Sequence, residues 1–232
     1  MIHTNFNKLR YFFVLTLLLI PLNSASGSEK WKAGIYIEPQ AAILDGDIGT
    51  SNIPAANLDS TVFSGLIGLE ARKGKAGFFI EISGLKQKEK TQLSPYNRME
   101  FRYSITELAG TYSFYKNLDF LLGARHQGFG TKYKGPLEIY KKSTGSLDFF
   151  AGLRVTRYFG KEDKWKVVVA TDAGAGDSDF VWCLKTELGY NFSKNLYVAG
   201  SLRELETDFK KSGIKYDGRL DTLGLKIEYL FD

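Results

Sequence analysis

Leu147-Asp148-Phe149-Phe150-Ala151-Gly152-Leu153-Arg154-Val155-Thr156 is the stretch that decides the fold. Phe149, Ala151, Leu153 and Val155 share one face, and Asp148, Gly152, Arg154 and Thr156 share the other, which is the period of a strand with one charged side. The contrast recurs further on. Trp182, Leu184, Thr186, Leu188, Tyr190 and Phe192 alternate with Cys183, Lys185, Glu187, Gly189 and Asn191, and Leu223, Leu225, Ile227, Tyr229 and Phe231 alternate with Gly224, Lys226 and Glu228. A soluble barrel hides its apolar face. Here the apolar faces are continuous aliphatic and aromatic bands, while the opposite faces carry full charges and glycines, the pattern of a transmembrane barrel with lipid outside and a polar lumen.

Outward from this stretch, the sequence predicts ten strands: Trp31–Glu38, Val62–Arg72, Ala76–Leu85, Met99–Phe114, Leu118–Gln127, Leu147–Phe159, Trp165–Gly174, Phe180–Phe192, Leu196–Thr207 and Arg219–Phe231. Tight turns at Lys73-Gly74, Tyr115 to Asn117, Gly160 to Lys164 and Ser193 to Asn195 alternate with connections at Pro39–Thr61, Lys86–Arg98, Gly128–Ser146, Ala175–Asp179 and Asp208–Gly218, mostly longer. That alternation predicts a closed antiparallel up-and-down β-barrel with turns at the periplasmic end, loops outside and both termini periplasmic. Trp31, Phe78, Phe114, Trp165, Phe192, Tyr229 and Phe231 fall near the turn end on outward parity, as an interfacial girdle would. A soluble β-sandwich using the same residues as its core is the competing fold.

Composition agrees. The 232 residues are 44% hydrophobic and 25% charged, with a mean hydropathy of -0.19, which excludes a helical membrane protein. The 24 glycines against 5 prolines suit many strands with short turns. A net charge of +5, lowered by two if Lys8 and Arg10 leave with a leader, is too small to argue for nucleic acid. The single cysteine, Cys183, excludes an internal disulfide and a cysteine-based zinc cage. Residues 1–27 have a basic start, the apolar run Tyr11–Ile20 and small residues from Ser24 to Gly27, the three parts of a signal peptide, leaving 28–232 as the barrel. A retained N-terminal anchor is the alternative.

Three echoes, Leu118 to Arg125, Leu147 to Arg154 and Leu196 to Arg203, each end in an inward arginine at mid-height. Counting across the turn at Lys116 puts Glu107 opposite Arg125, and similar counts put Glu187 diagonal to Arg203 and Asp172 diagonal to Arg154. With Glu70, Glu81, Lys185, Lys226 and Glu228 they form an expected lumen charge network. Its members either neutralise one another as a plug or line a narrow ion or solute path.

The stretches Leu69 to Phe79, Leu118 to Arg125, Leu147 to Arg154 and Glu187 to Leu196 resemble those of the small porin-like outer-membrane β-barrel proteins of Gram-negative bacteria, in a mostly uncharacterised branch. The terminal Tyr229-Leu230-Phe231 is similar to the aromatic signal read by the barrel-assembly machinery, with Asp232 as a departure from it. The resemblance specifies architecture and implies outer-membrane lipid and lipopolysaccharide as surroundings.

Chemistry is sparsely signalled. His126 lies at the outer end of its strand, and Ser143 or Ser146 across the next loop is the nearest candidate nucleophile for a lipid-modifying rim enzyme. Asp177 and Asp179 flank a glycine turn. No phosphate-loop, zinc or dinucleotide pattern is present, so the expectation is no catalysis, no cofactor and no metal. The functional expectation is a structural, surface-contact or weakly conducting barrel, with a narrow passive channel as the alternative. Lys86, Lys88, Lys90, Arg98, Lys132, Lys134, Lys141, Lys142, Lys210, Lys211 and Lys215 give the outer connections a basic character suited to lipopolysaccharide phosphates.

Overall fold

A computed structural model describes residues 30–50, 53–90, 98–136 and 139–231, with side chains at 50–60 and 89–90 left out. The proposed leader, Asp232 and the Lys90 side chain lie outside the described residues. Ten strands among them close into one antiparallel ring in which every strand pairs with its sequence neighbours and β1 pairs with β10. They are β1 (Lys32–Thr50), β2 (Ile53–Lys73), β3 (Ala76–Lys90), β4 (Arg98–Tyr115), β5 (Leu118–Lys134), β6 (Ile139–Phe159), β7 (Trp165–Gly176), β8 (Ser178–Asn191), β9 (Leu196–Lys211) and β10 (Ile214–Phe231). Ala33 pairs with Phe231, so the described chain begins and finishes at the turn end. Turns there are made by left-handed residues, Gly74 at φ 58° and Asn117 at φ 78°, and by a short 3-10 segment at Lys161–Asp163.

The outer wall of the turn-end half is apolar. Ile35, Ile67, Ile82, Leu122, Leu153, Leu188, Leu202 and Leu225 are all exposed on it. Below them, Trp31 packs on Phe78 at 6.2 Å, Trp165 on Phe159 and Tyr190, and Tyr229 on Phe231, an aromatic girdle at the turn end. This is a transmembrane barrel wall.

The predicted outer loops are the main correction. Pro39–Thr61, Gly128–Ser146 and Asp208–Gly218 are mostly ladder, and strands reach 21 residues in β2 and β6 where a tilted crossing needs about 9 to 11. The physical reason is an inversion of polarity at the top of the belt. On the outside, Ile43 gives way to Asp45, Leu202 to Glu204 and Leu223 to Asp221. On the inside, Gln40 gives way to Ala42 and Leu44, Glu107 to Ile105 and Tyr103, Arg203 to Leu205, and Thr222 to Leu220 and Tyr216. Above the belt the wall stands in water, so its apolar side turns inward. The sandwich reading, wrong for the belt, describes the polarity of this collar.

The collar is also divided. The β2–β3 ladder ends at Gly65↔Gly84, although both strands continue upward, and the β6–β7 ladder ends at Asp148↔Gly176 while β6 continues to Ile139. Two lobes result. One is made of the upper parts of β3, β4, β5 and β6, the other of those of β8, β9, β10, β1 and β2. They face each other through Phe101, Tyr103 and Phe129 from one side and Phe209 and Tyr216 from the other. Phe129 stacks on Phe209 at 4.8 Å, and its ring centre lies 5.1 Å from that of Tyr216.

Candidate functional site: a charge-paired lumen under an apolar plug

Inside the belt, the charged side chains form three linked groups. Nearest the turn end, Asp119 accepts from Arg72 Nη2 at 2.6 Å, Arg154 Nη2 at 3.0 Å and Ser113 Oγ at 2.5 Å, while Arg154 also reaches Glu70 at 2.8 Å. Beside it, Lys185 pairs with Glu81 at 2.6 Å and Glu187 at 3.5 Å, and Lys226 pairs with Glu187 at 3.4 Å and Glu228 at 3.5 Å. Tyr36 ties these together. Its hydroxyl donates to Glu81 at 2.6 Å and its ring lies 4.0 Å from the Lys226 ammonium. Gly68, its register partner, leaves the room that ring occupies, since a Cβ there would collide with it.

The uppermost group closes the charged part of the tube. Arg125 is fully buried, donates to its register partner Glu107 and holds Asp172 at 2.9 and 3.1 Å. Arg203 donates to the same Glu107 and lies 3.7 Å from Glu81. The diagonals counted from sequence exist in the register, yet the ion pairs differ: Asp172 goes to Arg125, Arg154 to Asp119 and Glu70, and Arg203 to Glu107. Arg154 and Asp119 are direct register partners on β6 and β5, whereas Arg125–Asp172 and Arg203–Glu107 join strands that are not neighbours.

The sequence reading missed Tyr36, Glu38, Arg72, Asp119, Asp148 and Lys166. Glu38 accepts from Gln40 at 2.8 Å and Ser201 at 2.5 Å, Asp148 accepts from the Ser178 backbone N–H at 2.7 Å and hydroxyl at 2.8 Å, and Lys166 sits over Tyr197. Two of them were visible in the echoes: Asp119 has the parity of Arg125, and Asp148 that of Arg154.

Below Arg125 and Arg203 the tube widens into a cavity of about 440 Å³, lined by these charges and reaching Lys32, Arg72 and Asn117 at the turn end. Above them, Gln127 accepts from Tyr103 and from Thr207 at 3.1 Å, and the aromatic plug begins. The arrangement can hold polar solutes from the turn end.

His126 is exposed on the outer wall at the top of the belt, between Thr106 and Leu147 in the register. Ser146 faces the lumen side instead, and Ser143 pairs in register with Gly130, four positions along the strand from His126. Asp177 accepts from the Leu147 N–H at 3.0 Å and pairs with Lys211 at 2.5 Å. Tyr229 and Phe231 stand half-exposed on the outer face of β10. On the collar, Glu100 lies between Arg102 at 2.7 Å and Lys86 at 3.2 Å, whose hydrogen bonds pull its carboxyl down to about 2. Lys132 is pushed below the usual lysine range, first by Lys134.

The sequence matches no protein-family profile and no curated protein. Solved structures similar to it include Ail, the attachment invasion locus protein of Yersinia pestis, in complex with the heparin analogue sucrose octasulfate, at 11% identity and TM-score 0.48, covering 87% of this chain and 99% of that one. The outer membrane protease OmpT of Escherichia coli is similar at 11% identity and TM-score 0.47, over 89% and 98% of the two chains. The transport unit of the autotransporter AIDA-I of Escherichia coli is similar at 13% identity and TM-score 0.46, over 94% and 97%. The expectation that the chain is not an enzyme is corrected by this set. It includes a protease. The structural neighbours are outer-membrane β-barrels, consistent with the resemblance read from the sequence.

Proposed function

We propose that the chain is an integral outer-membrane barrel of a Gram-negative bacterium that carries a folded, two-lobed collar at the cell surface and has a closed lumen. The observation that carries this reading is the plug: Phe101, Tyr103, Phe129, Phe209 and Tyr216 fill the tube above Arg125 and Arg203, all buried. In this reading the paired charges of the lumen are structural. They satisfy one another where the tube is too narrow for bulk water. Residues 1–27 are the export signal, both termini are periplasmic, lipopolysaccharide surrounds the belt in the outer leaflet, and Tyr229 and Phe231 are read by the assembly machinery. Fractionation with the outer membrane and heat-modifiable gel migration are expected. Recovery of the protein in the soluble periplasm contradicts the reading.

A second reading has one observation in its favour. The 440 Å³ cavity opens toward the turn end, which supports solute entry from the periplasm and, if the plug moves, a narrow passive channel. Conductance separates the two.

A further inference from the structure

The two lobes of the collar carry opposite charge. On the outer face of the first, Lys86 pairs in register with Arg102, Arg98 with Lys134, and Lys132 with Lys141, with Glu100 shared between Lys86 and Arg102. On the outer face of the second, Asp221 pairs in register with Glu204, and Asp217 stands beside Asp208 and Asp47. Arg219 serves both Glu204 at 3.2 Å and Asp221 at 2.7 Å. Two lysines, Lys210 and Lys215, sit above this acidic face near the tip. Like charges directly opposite on neighbouring strands destabilise a sheet, and each lobe repeats that arrangement with its own sign. The Lys132 ammonium is shifted down first by Lys134, its like-charged neighbour on the same face of β5.

The placement of the lobes matters as much as their sign. The basic one is centred on β4 and β5 and the acidic one on β9 and β10, half the ring away in a barrel of ten strands. Both begin where the apolar belt ends, so in copies held upright by one membrane they overlap in height.

We propose that the collar is a self-association device: the basic lobe of one copy docks against the acidic lobe of the next, side by side in the membrane plane. The proposal rests on the outer-membrane reading above. A contact between different faces that stand opposite each other needs almost no rotation from copy to copy, so it builds an open row instead of a closed ring. Lipid phosphates, the partner that the basic outer connections suggest from sequence, would satisfy the first lobe and leave the second facing more negative charge. Divalent cations would do the reverse. A second copy satisfies both lobes with one contact. Exposed ion pairs are individually weak, but restriction to a shared surface raises the effective concentration of one face for the other.

The test uses full-length protein in phosphatidylcholine vesicles free of lipopolysaccharide and divalent cations, with insertion first verified by heat-modifiable migration. A failure at that step refutes the membrane reading and is distinguishable from failure of association. Amine-to-carboxyl crosslinking at low salt is expected to give a ladder of dimers, trimers and longer species that fades as salt shortens the screening length. Two variants, Lys132→Glu with Lys141→Glu and Glu204→Lys with Glu206→Lys, are each expected to lower the crosslinked fraction about tenfold, the effect of losing a few exposed pairs. Mixing the two variants is expected to restore it, because each now offers the face the other lacks. Restoration on mixing also shows that both variants are folded. Monomers at every protein-to-lipid ratio, a ladder indifferent to either reversal, no restoration on mixing, or a ladder that forms only when lipopolysaccharide is added would each overturn the proposal.

Discussion

Replacing Arg125 by alanine removes the one fully buried guanidinium at the top of the charged lumen. Its partners fare differently. Glu107 keeps Arg203 as a donor, whereas Asp172, whose carboxylate receives two hydrogen bonds from Arg125 Nη2, loses its hydrogen-bonded cation. Breaking a buried pair by removing one member costs about 3 to 5 kcal/mol, because the remaining charge is desolvated and uncompensated. The contact of the guanidinium with the Phe150 ring, 4.8 Å away, adds about 0.5 to 2 kcal/mol. The loss is therefore expected at about 3.5 to 7 kcal/mol in Arg125→Ala. It should be smaller in Arg125→Met, which keeps the packing, and smaller again when Asp172→Asn is added to either. Reversible guanidinium unfolding in lipid vesicles, followed by the fluorescence of the 3 tryptophans, measures each difference. A loss under about 1 kcal/mol, or a double variant no better than the single one, would refute the claim that Arg125 is held by charge pairing.

The belt makes a second prediction: Leu122, exposed at mid-height on the outer wall, should cost about 2 to 4 kcal/mol when replaced by arginine. The same unfolding assay checks it, and a cost near zero would mean that this face does not meet lipid. The collar makes a third, in pH. Because the folded carboxyl of Glu100 titrates near 2, below its ordinary value of 4.5, its pairing stabilises above the ordinary value and is lost as pH falls through about 2. Wild type and Glu100→Gln should therefore differ in collar stability at neutral pH and converge at strongly acidic pH, a difference that hydrogen exchange on β3 and β4 can follow. Divergence on acidification would have the wrong sign.

The belt was legible because lipid imposes one rule on every strand it touches. The run ending in Leu225-Lys226-Ile227 alternates throughout and the one ending in Leu153-Arg154-Val155 breaks only at the inward Phe150, and the ten predicted strands lie within strands of the structure except for one end residue each at Trp31 and Phe192. The collar was not legible for a reason of the same kind. In Ala42 to Ile48 the period of two persists, but its sign is reversed, and the glycine and aspartates of Asp45-Gly46-Asp47 look like turn residues until their partners Arg219, Gly218 and Asp217 are known. In the lumen, same-strand parity identified which charges face inward. It could not pair Asp172 with Arg125, or Arg203 with Glu107, because those contacts cross the tube between strands that are not neighbours. Glu38 was hidden beside Pro39, where the predicted first strand ended.

The central claim is that the lumen is shut by its own aromatic side chains, and single-channel conductance in planar bilayers tests it most directly. Wild type is expected to show no steps under voltage, and Phe129→Ala combined with Tyr216→Ala, which removes two rings that meet across the tube 5.1 Å apart, is expected to show them. Steps from the wild-type protein whose ion selectivity changes in Arg125→Ala would contradict the account and establish the lumen as a conducting path.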